Sequence, residues 1–349
     1  MDKRNYGIDL LRLLLMFMVC ILHTLGQGGV LNNAIVGTTS YKIHWFTEII
    51  SYCAVDSFAL ISGYMISKNK LKYKKIINMW FQVFFYSFII SFIIKIINMN
   101  IPIGKNELIS YMFPILNNIF WYMSAYFGLF IIIPILNNYL LKVKKDTAKK
   151  YFISLFIIFS LLAYTKDPFK TTAGYSMIWL VILYCLGALA NKIELFKQKK
   201  TSTLLIMYFI SSITTWFIYM CFNNDKLISY ISPLILLNGM ILVIIFSRLK
   251  LNGKIISKLS PLALGIYLFQ LNPIIWNIYL KDRFIFILNY NIFIEIALVF
   301  LFATLIFISG LVVEYIRIKL FELVKIEKLS DKIVEWLSKF IDKLSLLLN

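Results

Sequence analysis

Two residues in the first apolar run have the types and the spacing for group-transfer chemistry. Arg12 and His23 are separated by ten residues, LLLMFMVCIL. Eleven helical steps turn the chain by roughly 1,100°, so the two side chains face within ~20° of each other, with a rise of ~16 Å between them. A guanidinium stays charged and forks onto phosphate oxygens. A neutral imidazole accepts a proton near physiological pH and suits general-base work. Asp9, three residues before Arg12, lies on the same side of the helix. Arg12 can therefore also pair with Asp9 and fix the helix end, and the two roles are compatible. The competing role for His23 is a hydrogen bond to a neighbouring helix. Cys20 shares the face of His23, and core packing is favoured there over an acyl-thioester nucleophile.

Ionisable groups inside apolar runs are costly, so each is a functional candidate. The second run carries Glu48, Asp56 and Ser62-Gly63-Tyr64. Gly63 would let a neighbouring backbone or a ligand approach closely. His44, the only other histidine, is expected at the interface where that run starts. Phe120-Trp121-Tyr122 opens the fourth run, a position that suits an interfacial aromatic belt. The four cysteines lie in apolar runs with no CxxC and no metal-like spacing to histidine, and no metal site is expected.

The elements that must position these residues follow from composition. The chain has 349 residues, 60% hydrophobic and 15% charged, with a net charge of +19. Mean hydropathy is +0.79. That excludes a disordered chain, a secreted disulfide scaffold and a simple cytosolic enzyme, and it points to an all-α, polytopic membrane bundle. About ten apolar runs have spanning character: 7–26, 43–67, 76–98, 118–141, 151–165, 177–191, 203–221, 233–249, 261–280 and 292–316. The first is read as a retained helix, not a cleaved signal. Basic residues fill alternate connectors, 28 on one side against 7 on the other. The positive-inside rule then places both termini in the cytoplasm and assigns the charge to membrane sidedness, not to nucleic acid. Residues 1–316 form the expected transmembrane domain. In 317–349, Ile326, Leu329, Ile333, Trp336, Phe340, Leu344 and Leu347 recur at helical steps among lysines. This pattern fits a basic amphipathic helix on the inner leaflet.

Taken together, these motifs resemble the acyltransferase 3 family of integral-membrane acyltransferases, which modify bacterial cell-surface glycans. The resemblance rests on Arg12-x10-His23 preceded by Gly7-Ile8-Asp9, on Asp56-Ser57-Phe58 leading to Ser62-Gly63-Tyr64, on Trp121-Tyr122 with Pro134, and on Gly265-Ile266-Tyr267-Leu268. It covers about residues 4–316. One departure stands out: Gln270 occupies the position where relatives often carry the histidine of a His-Pro pair, and Pro273 comes later. Gln hydrogen-bonds but cannot act as a base. The resemblance implies an O-acetyltransferase of the bacterial plasma membrane with acetyl-CoA, or another acyl-CoA, as co-substrate and no permanently bound cofactor. The acceptor would be a surface glycan or lipid-linked saccharide. Arg12 and His23 would be catalytic. Asp9, Asp56, Ser62, Gly63, Tyr64, Trp121, Tyr122, Tyr267 and Gln270 would bind donor or acceptor.

Two other classes stay open from sequence. One is a transporter or flippase for a lipid-linked glycan, although no paired halves are seen. The other is a non-catalytic partner in polysaccharide assembly. Oligomeric state is not readable.

Overall fold

Backbone amides in an apolar surround must bond within the protein, and a helix satisfies them inside one segment. The computed structural model describes residues 4–66, 73–101, 103–162 and 166–347, and among these no strand forms. The last residues of the expected 43–67 and 151–165 runs lie outside the described residues.

The helices are α1 Tyr6–Asn33, α2 Thr39–Tyr52, α3 Ala54–Tyr64, α4 Tyr73–Ile97, α5 Lys105–Met112, α6 Trp121–Leu140 and α7 Lys145–Phe156. They continue as α8 Met177–Lys192, α9 Thr201–Phe222, α10 Pro233–Ser247, α11 Lys254–Gln270, α12 Pro273–Asn289, α13 Ile292–Val324 and α14 Ile326–Leu347. Among the described residues, α1, α4, α6, α9 and α13 are long and apolar enough to cross a membrane. The pair α11 and α12, bent by 56°, makes a sixth. α8 and α10 are shorter apolar helices. The second apolar run is divided into α2 and α3 at Cys53.

α1 is the central element. Its apolar window is 67% buried, against 22–33% for the other four long helices, which leave wide apolar faces exposed. It packs on α2, α3, α10, α11 and α13. Two close crossings depend on three glycines. A Cβ at Gly63 would lie 1.9 Å from the Tyr184 carbonyl oxygen, and one at Gly187 would lie 2.2 Å from the Leu60 oxygen. α3 and α8 therefore touch backbone to backbone through reciprocal glycines, the small-residue packing that membrane bundles use. Gly7 does the same for α1 against α10, where a Cβ would meet the Phe246 oxygen at 2.0 Å.

The break between α11 and α12 has a local cause. Pro273 cannot continue the helical hydrogen bonds of α11. Asn272 caps the new helix, its Oδ1 accepting from the amides of Ile274 and Ile275 at 3.0 and 3.1 Å. Its Nδ2 donates to the Tyr86 carbonyl at 2.7 Å, which ties the bend to α4.

His44 is buried within the protein. It is 1% exposed, and its Nε2 lies 2.8 Å from Glu295 Oε2. Ser40 Oγ donates to the same oxygen at 2.6 Å, so α2 is held to the first turn of α13. At the other end of α13 the helix runs through residue 316 and stops at Lys325, which adopts φ 57°. α14 then packs on α4, with Lys74 Nζ 2.8 Å from Asp331 Oδ1 and Ser330 Oγ donating to Asn78 Oδ1 at 2.6 Å.

Candidate active site

α1 is regular up to Leu22 and then widens into a π turn over His23–Gln27. The His23 carbonyl accepts from the Gly28 amide at 2.8 Å. Such turns are rare and recur at functional positions. The end of α1 is pinned by the α12 loop, where the Asp282 amide donates to the Gln27 oxygen and the Phe284 amide to the Gly28 oxygen.

Beside this turn lies a cavity of about 520 Å³, within the usual range for small-molecule sites. Arg12, Met16, Val19, Leu22 and His23 all face it, so one stripe of α1 forms a wall and both expected catalytic residues open on the same space. The cavity has two unlike ends. Where α1 and α11 begin, Arg12, Ser260 and Pro261 line it. Where α1 finishes, it is lined by Glu48 and Tyr52 of α2, Trp121 and Tyr122 of α6, Trp276 of α12, and the loop residues Tyr175 and Tyr230.

Arg12 is fixed by Asp9, as its spacing suggested. Arg12 Nη1 donates to Asp9 Oδ1 at 2.9 Å. Asp9 is 3% exposed and also accepts from Ser260 Oγ at 3.1 Å and Arg4 Nε at 2.5 Å. Asp9 sits in the first turn of α1, where a negative charge is favoured by the helix dipole. It orients Arg12 and is not itself on the cavity wall, whereas the Arg12 side chain stays 37% exposed and available to an anion.

His23 packs edge-on against Trp276, with ring centroids 5.3 Å apart. No hydrogen-bond partner for its buried Nδ1 is found among the described residues. Gln270 is fully buried and within interaction reach of both His23 and Cys20, and its Nε2 lies 3.9 Å from the Met16 sulfur. Gln270 thus stands behind the imidazole and not on the wall. Cys20 is completely buried and does not face the cavity.

The remaining expected residues divide. Ser62, Trp121, Tyr122 and Tyr267 face the cavity. Ser62 Oγ lies 3.3 Å from the Tyr126 hydroxyl, and Tyr122 stacks on Tyr126 and meets Tyr267 edge-on. Phe120 is 1% exposed and Trp121 faces inward, so this triplet lines the interior and does not form a lipid-facing belt. Gly63 and Tyr64 do not line the cavity. Gly63 serves the α3–α8 crossing, and the Tyr64 hydroxyl lies 3.2 Å from Ser247 Oγ. Asp56 lies one residue from the wall, and its Oδ1 accepts from Trp179 Nε1 at 2.9 Å.

Residues given no place in the site from sequence are Tyr52, Tyr126, Tyr175, Tyr230 and Trp276. Glu48, a candidate as a charge inside an apolar run but assigned no role, also lines the cavity. Tyr175 and Tyr230 carry no such signal, because they lie in separate connectors before α8 and α10 and only the fold brings them together. Among the described residues no group of acidic, His and Cys side chains could hold a metal.

The arrangement offers a fixed cation near one end, an imidazole midway and polar–aromatic groups beyond it, which suits transfer between an anionic donor and a hydroxyl acceptor. No curated protein and no solved structure matches the chain. The family model described as an acyltransferase domain matches residues 5–315, which include α1 and every cavity-lining residue. The chain belongs to the acyltransferase 3 family.

Proposed function

We propose that this acyltransferase is a ten-span enzyme of the bacterial plasma membrane with both termini in the cytoplasm. It moves an acyl group, in the simplest case acetyl, from cytoplasmic acyl-CoA to a hydroxyl of a surface or exported polysaccharide. The observation that carries the reading is the common cavity of Arg12 and His23. Arg12 holds a donor phosphate by its guanidinium. His23 takes the proton of the acceptor hydroxyl as its oxygen attacks the thioester carbonyl. The C–O bond forms, the C–S bond breaks, and the proton passes from the imidazolium to the departing CoA thiolate. The vertical order, with cation on the basic side and imidazole above it, supports an inside donor and an outside acceptor.

General-base loss costs about 10²–10⁴-fold in rate. His23→Ala is therefore expected to lower transfer of labelled acetyl from acetyl-CoA to membrane glycan by that factor while the protein stays inserted. Unchanged O-acylation in an inserted variant would overturn the proposal.

A further inference from the structure

Buried polar atoms almost always find partners. Among the described residues seven such atoms lack one, and four of them, His23 Nδ1, Glu48 Oε2 and the Tyr122 and Tyr267 hydroxyls, belong to residues that line the same cavity. Glu48 is 7% exposed, and its Oε1 would lie 3.8 Å from a Cβ built on Gly26. The carboxyl thus sits one helical turn of α1 beyond His23. Next to it stands an aromatic wall drawn from four separate segments. Tyr52 stacks on Tyr230 at 4.8 Å, Tyr230 meets Tyr175 at 5.0 Å, and Tyr175 meets Trp121 at 4.6 Å. These rings pack on one another, and all four residues line the cavity.

We propose that this end of the cavity is the seat of a pyranose ring, with Glu48 as the group that binds a hydroxyl adjacent to the one presented to His23. A sugar ring has an apolar C–H face and a polar rim. The aromatic wall takes the face, and the carboxyl takes the rim. A carboxyl group hydrogen-bonds a hydroxyl through its oxygens, and its position one turn from His23 fits neighbouring hydroxyls of one ring. A flexible polyol offers no face, and a simple cyclic alcohol offers no second hydroxyl. The assignment rests on the acyl-transfer reading for what happens at His23, but ring binding itself does not require acyl transfer.

The test is saturation-transfer NMR on the full chain in nanodiscs. The probes are the methyl pyranosides of glucose, galactose, mannose, rhamnose and N-acetylglucosamine, with glycerol and cyclohexanol as controls. At least one pyranoside is expected to receive saturation on its ring C–H protons, and neither control is. Glu48→Ala and Tyr230→Leu should each weaken that binding at least tenfold, and Glu48→Gln, which keeps an acceptor oxygen, should weaken it less. Melting temperature checks the fold, and Glu48→Ala decides alone if Tyr230→Leu does not fold. Absence of saturation for every pyranoside, or wild-type binding by folded Glu48→Ala, overturns the seat. A pyranoside that binds through Glu48 but is never acylated from acetyl-CoA leaves the seat standing and removes the transfer reading. Acylation of a pyranoside that is indifferent to Glu48 does the reverse.

Discussion

At the scale of single residues, the site is built from one helical stripe and a few charges that violate an apolar background. Arg12 and Asp9 form a 2.9 Å pair whose carboxylate is also held by Arg4 and Ser260. Asp9 thus spends its acceptor capacity on orienting Arg12 and the ends of α1 and α11. A lysine at position 12 keeps the charge but loses the fork that grips two oxygens. Arg12→Lys should raise the KM for acetyl-CoA about tenfold, in line with the loss of one charge-assisted hydrogen bond, and change kcat less. Steady-state kinetics checks this split. An equal fall in kcat would instead place Arg12 at the reacting carbonyl. Arg12 and His23 were legible because helical periodicity alone brings residues eleven apart onto one face. Gln270 was legible as a departure, but its place behind His23 was not, because it depends on how α11 packs on α1. Tyr175 and Tyr230 were illegible, since no short-range pattern joins connectors that meet only through the packing of α6, α8 and α10.

At the scale of elements, burial was harder to read than helix position. The helices overlap the apolar runs, with the second run divided at Cys53 and the ninth broken between α11 and α12, but sequence does not say which faces meet. His44 and Glu295 illustrate this. Both stand near starts of helices, and nothing in the sequence says that they meet. Their side chains are 1% and 5% exposed, and they join α2 to α13. Removing one member of a buried pair leaves the other without compensation, at a cost of about 3–5 kcal/mol, whereas removing both is much cheaper. His44→Ala and Glu295→Ala should each lower the melting temperature in detergent markedly. The double variant should be less destabilised than the sum of the singles, giving a coupling energy of about 1–3 kcal/mol in a double-mutant cycle. Strict additivity would mean that the pair does not hold the helices together. Gly63 teaches the same lesson. It was anticipated as a point of close approach, and the structure names the occupant as the α8 backbone.

At the scale of the whole molecule, the basic connectors converge. Arg4 donates to the Ser257 carbonyl, Asn5 to the Ser247 carbonyl, and Arg248 to the carbonyls of Phe196 and Lys199. Lys145 pairs with Glu194, Lys192 donates to the Leu141 carbonyl, and Lys74 pairs with Asp331. The start of α1, the turns before α7, α9 and α11, the start of α4 and the helix α14 therefore share one end of the bundle. The alternation of lysine along the chain is thus also an arrangement in space, and it turns sidedness into a measurable property. In a Cys221→Ser background, whose other cysteines are Cys20, Cys53 and Cys185 in buried or half-buried positions, single cysteines can be placed at the two ends. Asn224→Cys, just after α9, is expected to react with a membrane-impermeant maleimide on intact cells. Lys332→Cys, on α14, is expected to react only after permeabilisation, because it lies at the basic end that the positive-inside rule holds in the cytoplasm. Labelling of Lys332→Cys on intact cells would reverse the orientation. It would also put Arg12 on the side without cytoplasmic acyl-CoA, so the same labelling pattern decides which end of the cavity the donor can reach.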